Sequence, residues 1–297
     1  MVQCLANAGA DITARSKSNS SVLHRAAEAG KSETVKWLLD AHASHFGVND
    51  TTSYGWTPLL FAACRNHTDT VKILLERGAD VGTSPALGSS PLHLACGYRS
   101  GFNHERPFDE DFERVRSESD NPAIIDLLIQ HGADVLAQGT DRSAMSLQEN
   151  GEELQREVHN MQQRDKESLH QPLSPSRPVL PLHCAACVGN LAKAEVLLNH
   201  SDNSTVNTQD MWGRTPLHDA AAKRHLEFLR FLISRGGDIN VRNDDDRTVL
   251  QYLSFYNGPD IARSFLMERG LYDPSMEEKD LNVEELKRTF RRRYLGV

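Results

Sequence analysis

The sequence predicts an all-α fold in which short helical hairpins stack into a solenoid. The first observation is a recurring motif, seen in GWTPLLFAA at 55–63 and again in GRTPLHDAA at 213–221. Successive copies are 33 residues apart, the separation of Thr57 from Ser90, and such a period is the signature of a repeat protein. The second observation is a run of apolar residues at helical spacing after each motif, for example Val71, Leu74 and Leu75.

The elements of one unit follow from its residue types. Thr57-Pro58 predicts the start of a first helix, because threonine caps a helix and proline fits its first position. The apolar run then predicts a second helix, and Gly78 directly after it predicts a left-handed residue that ends that helix. Glycines that follow the second helix in the same way are Gly132, Gly236 and Gly270. Neither helix can bury its apolar face alone, so neighbouring units are expected to stack.

The TPLH-like opening, the GAD-like close and the period of 33 resemble the ankyrin repeat. SPLH at 90–93 opens a further copy, and weaker openings are SVLH at 21–24, LPLH at 180–183 and TVLQ at 248–251. The resemblance covers most of the chain and implies an ankyrin solenoid of about six or seven units. It also implies that the recurring His24, His93, His183 and His218 are structural, tying neighbouring turns together by hydrogen bonds.

The repeat pattern divides the chain into four segments. Residues 1–168 form a front block that begins with a partial repeat, so that the chain either is a segment of a longer protein or has a misplaced start. This block carries an acidic insert at 102–121 and a degenerate repeat at 140–165. Residues 169–179 form a Pro-rich linker that is too proline-dense for a helix and is a candidate hinge. Residues 180–272 form a rear block, and 273–297 a helix that caps the last repeat.

Two of these segments have a second interpretation. The acidic insert, which contains Phe102, Phe108 and Phe112, is either a solvated loop or an arm that docks on a basic, apolar partner surface. The C-terminal helix either seals the last repeat or is a basic recognition element for an acidic partner or a phospholipid.

The composition of the chain limits the kinds of partner and the cellular compartment that can be expected. The 41 acidic residues exceed the 33 basic ones and give a formal charge of −8, which disfavours nucleic acid and anionic membranes and favours a basic partner. Five cysteines without a disulfide pattern indicate reduced thiols in the cytoplasm or nucleus. Because the chain has no apolar run of 18 residues, we expect a soluble protein that does not insert into a membrane. We also expect it to be a monomer.

Apparent catalytic and metal-binding motifs do not fit their chemistry. Gly30-Lys31-Ser32 lacks the earlier glycine and the preceding strand of a phosphate-binding loop, and is expected to be the turn between two helices. Cys184 and Cys187 have zinc-ligand spacing, but no second ligand pair accompanies them, so Cys184 is expected in the core. The sequence therefore predicts no catalytic residue, no cofactor and no metal.

Partner binding is expected on the loops that precede each first helix and on the groove-facing side of those helices. In the family, these positions line a concave groove, and their side chains are not needed to pack the core. Aromatic residues and arginine at such positions are typical of interface hot spots. The predicted partner-binding residues are Tyr54, Trp56, Arg65, Met211, Trp212, Arg214, Asp219, Lys223, Asp244, Asp245 and Arg247.

The predicted function is that of a protein-protein interaction module, a scaffold or adaptor without enzymatic activity. The alternative is that the array recruits substrates for a longer kinase, ubiquitin ligase subunit or acyltransferase whose catalytic domain lies outside this chain. Fold alone does not select the partner.

Overall fold

A computed structural model of the chain describes residues 2–84, 89–97, 121–137, 139, 179–210, 212–257, 261–262 and 264–265. Within these residues the structure is helical, as predicted, and the helices form pairs. The helices are α1 (Val2–Asn7), α2 (Val22–Glu28), α3 (Ser32–Ala41), α4 (Pro58–Cys64), α5 (Thr68–Glu76), α6 (Pro91–Ala95), α7 (Ala123–Gln130), α8 (Pro181–Val188), α9 (Leu191–Asn199), a 3₁₀ helix (Asn203–Asn207), α10 (Pro216–Ala222), α11 (Leu226–Ser234) and α12 (Val249–Asn257). Among the described helices, none combines the length and the apolar character needed to cross a bilayer.

The first helix of each unit begins where the sequence predicts. The Thr57 hydroxyl accepts a hydrogen bond from the Leu60 amide at 3.3 Å, and Pro58 occupies the first helical position. The units that carry a histidine use its ring as a second cap. In one of them, the Thr215 amide donates to His218 Nδ1 at 3.1 Å. The caps thus satisfy amide groups that would otherwise lack partners at the helix start.

The turn between the two helices of a unit places glycine where a side chain does not fit. Gly30 has a φ of +63°, and a Cβ atom on it would lie 2.6 Å from Nδ1 of His67 in the next unit. Gly189 repeats this arrangement, with a φ of +78° and a distance of 2.6 Å to Nδ1 of His225. These glycines therefore allow both the left-handed turn and the close approach of the neighbouring repeat.

The recurring histidines join neighbouring repeats, which confirms the structural role that the resemblance implied. Nε2 of His24 is 3.0 Å from the Asp50 carbonyl oxygen, and Nε2 of His218 is 3.1 Å from that of Arg247. Burial lowers the pKa of His218 to about 4, so the ring is neutral and Nε2–H donates to the carbonyl. His93 and His183 make the same contact, each with the following repeat.

The core is one continuous apolar cluster that runs along the stack. First helices contribute fully buried leucines such as Leu23, Leu59 and Leu217, and second helices contribute Leu38 and Leu232. Because the helices of neighbouring units contact one another along the stack, it is stabilised through contacts between neighbours.

The repeats on either side of the largest interruption are direct neighbours. Nε2 of His93 lies 2.9 Å from the Val179 carbonyl oxygen, and the ammonium of Lys193 on α9 donates to the Ala95 carbonyl at the end of α6 over 2.8 Å. Gly139 and Val179 pair as an isolated antiparallel bridge. The predicted degenerate repeat at 140–165 lies outside the described residues.

Several other predictions also fall outside the described part of the chain. They are the acidic insert up to residue 120, most of the Pro-rich linker, the C-terminal capping helix, Gly270 and Met211.

Candidate protein-binding surface

One side of the stack is formed by the loops that precede the first helices and by the first helices themselves. We call this side the loop–helix surface. Neighbouring loops are joined by backbone hydrogen bonds, from the Ser53 amide to the Ser18 carbonyl and from the Asp244 amide to the Trp212 carbonyl, both 2.9 Å long. The first helices pack side by side within each block, as α4 does between α2 and α6. The surface is therefore continuous from one repeat to the next.

Its front part carries an aromatic cluster. Tyr54, in the loop before α4, is 51% exposed, and the ring centroids of Trp56 and Phe61 are 5.0 Å apart. Trp56 and Phe61 are each half-buried, and Trp56 packs against the apolar cluster of the core. Partly exposed aromatic side chains of this kind supply contact area at little cost in conformational entropy.

Charged groups lie beside this cluster on α2 and at the end of α4. Glu28 accepts hydrogen bonds from Arg25 over 2.9 Å and from Arg65 over 3.3 Å. Because Arg65 follows α4 and Glu28 ends α2, their ion pair crosses the boundary between two repeats. Such pairs are worth little for stability at half-exposed positions.

The rear part is built around Arg214. Its Nε and Nη2 atoms donate to Oδ2 of Asp210 over 2.9 and 2.7 Å, and its Nη1 atom is 3.5 Å from Oδ1 of Asp219. The Trp212 ring lies against the guanidinium, with 4.5 Å between the ring centroid and Cζ. Oδ1 of Asp210 accepts from the Trp212 and Arg214 amides, so this carboxylate also fixes the loop.

Three of the predicted partner-binding residues are packed, contrary to the expectation that these positions are free of packing duties. The Asp219 side chain is 2% exposed, the Arg214 side chain 16%, and Arg247 as a residue 6%. Arg214 and Asp219 lie 3.5 Å apart in the cluster with Asp210, and the Arg247 amide donates to Oδ1 of Asn243 within the loop. Whether these three contact a partner stays a prediction.

The other predicted residues form two groups on the loop–helix surface. Tyr54, Trp56 and Arg65 lie together at the front. Trp212, Lys223, Asp244 and Asp245 lie at the rear, each with part of its side chain accessible.

The prediction left out Phe61, Arg25 and Glu28, although a signal for two of them was present. Arg25, Phe61 and Asp219 each stand four positions after the residue that caps the first helix. Because Asp219 was among the predicted residues, applying the same position to the other repeats would have added Arg25 and Phe61.

The rejected chemical motifs are structural in the described chain. Lys31 stands directly before α3 and Ser32 begins it, so these residues belong to the turn between two helices, as expected. Cys184 is 3% exposed within the apolar cluster, and burial raises the pKa of its thiol. Across the described ranges, no group of three or more histidine, cysteine, aspartate or glutamate residues is placed to hold a metal ion.

Comparison with known families assigns the fold. The family model described as "Ankyrin repeats (3 copies)" matches residues 1–85, 23–104, 160–243 and 182–276. The matched residues make up well over half of the chain. The protein therefore belongs to the ankyrin-repeat family, and the resemblance seen in the sequence is confirmed.

Individual relatives are similar over part of their length. Ankyrin repeat protein nuc-2 of Neurospora crassa is 25% identical over 233 residues, which cover 78% of this chain and 16% of the relative. The human transient receptor potential cation channel subfamily A member 1 is 28% identical over 219 residues, or 72% of this chain and 17% of the relative. Ankyrin repeat-containing protein P1E11.10 of Schizosaccharomyces pombe is 42% identical over 59 residues, or 20% of this chain and 28% of the relative. The chain thus spans less than a third of the length of each of these relatives.

Proposed function

We propose that this chain is a protein-protein interaction module that binds a partner along its loop–helix surface. Ankyrin repeats generally mediate protein-protein interaction, which supports the class of function. The observation that favours this surface is the aromatic cluster at its front. Tyr54 is half exposed, and the neighbouring Trp56 and Phe61 rings are each half-buried.

The order of the loops and the charge of the chain support binding at the same surface. The loops keep their shape through internal hydrogen bonds, such as those that Asp210 accepts from the Trp212 and Arg214 amides. A surface that is ordered before the partner arrives loses little conformational entropy on binding. The formal charge of −8 and the accessible Asp244 and Asp245 favour a partner with basic residues opposite the rear loops.

The test is a selection of random 12-residue peptides displayed against the full chain, followed by fluorescence anisotropy with the enriched peptides. Tyr54→Ala removes a side chain that is half exposed, and we expect it to weaken peptide binding about tenfold, which corresponds to about 1.4 kcal/mol. Its melting temperature should stay close to that of the parent chain.

The matched control is Leu191→Ala, which removes an apolar side chain that is 38% exposed at the start of the second helix α9. We expect this variant to bind peptides as the parent does. Absence of any enriched peptide, or equal loss of binding in the two variants, would contradict the proposal.

A second candidate is that the repeats recruit a substrate for a catalytic domain in the same polypeptide. It is favoured by the relatives, in which the matched repeats make up at most 28% of a longer protein. The two candidates share the binding surface and differ in the activity attached to it. An activity assay on the protein encoded by the longest transcript would distinguish the two candidates, because only the second predicts that this protein modifies the bound partner.

We further propose that the protein resides in a reducing compartment, the cytoplasm or the nucleus, because the described cysteines are free thiols.

A further inference from the structure

The rear part of the loop–helix surface contains a buried carboxyl group whose hydrogen bonding is incomplete. Asp219 is 2% exposed, and its Oδ2 atom has no hydrogen-bond partner. Its Oδ1 atom lies 3.5 Å from Nη1 of Arg214, at the limit of a hydrogen bond. An ionised carboxylate in such a position is unfavourable, because burial removes its hydration without supplying donors to both oxygens.

Arg214 already has a counter-ion that does not depend on Asp219. Two of its nitrogen atoms donate to Oδ2 of Asp210 over 2.7 and 2.9 Å, well within hydrogen-bond range. Neutral Asp219 therefore leaves the guanidinium paired. Ionised Asp219 places two carboxylates around one guanidinium, and it then competes with Asp210 for that cation.

Competition for Arg214 would be transmitted to the exposed surface. The Trp212 ring rests on the guanidinium, and the backbone amides of Trp212 and Arg214 both donate to Asp210. A shift of the guanidinium toward Asp219 would therefore displace the Trp212 ring, which is half-buried on the loop–helix surface.

The charged and titratable groups that face Asp219 come from the loop, from its own helix and from the helices packed on it. They are Arg214 and Asp210 of the loop, Lys223 at the end of α10, Cys184 and Cys187 of α8, and Tyr252 of α12. Burial raises the pKa of both thiols and of the Tyr252 hydroxyl, so these groups stay neutral near pH 7. Burial also raises the pKa of Asp219, to about 7.

We propose that Asp219 binds and releases a proton, and that its protonation state sets the position of Arg214 and Trp212 and thereby the affinity of the loop–helix surface for its partner. Only the last step rests on the proposed function. The neutral form corresponds to the geometry described above, in which Asp210 fixes the loop and the Trp212 ring rests on the guanidinium. Because an ordered surface loses less conformational entropy on binding, we expect this form to bind more tightly.

The first measurement is the pH titration of the Asp219 side-chain carboxyl carbon by NMR in the full chain. Assignment through its own Cβ requires no variant, so the measurement does not depend on a substitution that disturbs folding. We expect a midpoint within about one unit of pH 7. A midpoint below about pH 5 would overturn the proposal.

The second measurement follows the indole N–H resonance of Trp212 over the same pH range, with the Trp56 indole of the front cluster as an internal reference. We expect the Trp212 resonance to move with the Asp219 midpoint, and to stay in place in Asp219→Asn. A titration of Asp219 that leaves the Trp212 resonance unchanged would refute the coupling.

The third measurement compares binding of a histidine-free selected peptide at pH 6 and pH 8. We expect the parent chain to bind several-fold more weakly at pH 8 and Asp219→Asn to bind equally at both. Equal affinity of the parent at the two pH values overturns the link to binding. If no peptide binds at either pH, the proposed function fails, while the two NMR measurements still decide the proton-dependent movement.

Discussion

A pair of glycine substitutions measures how much the contact between neighbouring repeats contributes to stability. Gly30 and Gly78 have similar positive φ values, +63° and +81°, so alanine at either position incurs the cost of a left-handed residue. That cost is about 1–2 kcal/mol. A Cβ atom at Gly78 would meet nothing within 4 Å, whereas one at Gly30 would lie 2.6 Å from Nδ1 of His67.

The extra cost at Gly30 follows from the contact that His67 makes. Nε2 of His67 is 3.0 Å from the carbonyl oxygen of Glu28 in the preceding repeat. Alanine at position 30 forces the ring away, which breaks this hydrogen bond and leaves a half-buried ring and a carbonyl to find new partners. A lost bond with an unsatisfied group costs about 1–3 kcal/mol. We therefore expect about 1–2 kcal/mol for Gly78→Ala and about 2–5 kcal/mol for Gly30→Ala.

Urea unfolding followed by far-ultraviolet circular dichroism measures both variants, and the slope of the transition shows whether the cooperative unit has changed. Equal destabilisation by the two substitutions would refute the reasoning, because backbone conformation alone would then account for the cost.

Three further predictions concern the core, the junction and the ion-pair cluster. Leu217→Ala removes a fully buried side chain from the first helix α10 and should lower the free energy of unfolding by about 2–5 kcal/mol, measured by urea unfolding. An unchanged unfolding midpoint would contradict the assignment of Leu217 to the buried face of that helix. Lys193→Ala removes the ammonium that donates to the Ala95 carbonyl, so amide hydrogen exchange should accelerate in α6 and α8 more than in α2. An equal change in exchange rate in all three helices would contradict the direct contact between these two repeats. Asp219 has a pKa raised from 3.8 to about 7 in the folded chain, so its contribution to stability is complete below pH 3.8 and is lost as the pH rises through 7. Raising the pH from 5.5 to 8.5 should therefore cost the parent chain about 1–2 kcal/mol more stability than it costs Asp219→Asn in matched urea titrations, because the buried histidines affect both chains alike. Identical pH profiles of the two chains would argue against a neutral buried carboxyl.

Local signals in the sequence were sufficient to predict the helical units. Thr57-Pro58 predicted a helix start because capping depends on residues within one turn. Gly78, Gly132 and Gly236 predicted helix ends, and they have φ values of +81°, +92° and +92°. Helix starts and ends depend on residues that are near one another in sequence, so a single copy of the motif is enough to predict them.

Burial on the loop–helix surface could not be predicted in the same way. Arg214 and Asp219 are five positions apart, and their loop and helix form an ion-pair cluster with Asp210 that no repeat pattern specifies. The direct contact between the repeats opened by Ser90 and Leu180 was also missed. Sequence distance suggested an intervening unit, whereas the packing of His93 and Lys193 across the junction is a tertiary contact.

The most direct test of the proposed binding surface is hydrogen exchange of the full chain with and without a selected peptide. We predict protection in the loops and first helices, at residues 49–65 and 208–223, with little change in the second helices α3 (Ser32–Ala41) and α5 (Thr68–Glu76). Protection confined to the second helices, with the loops unchanged, would contradict the account.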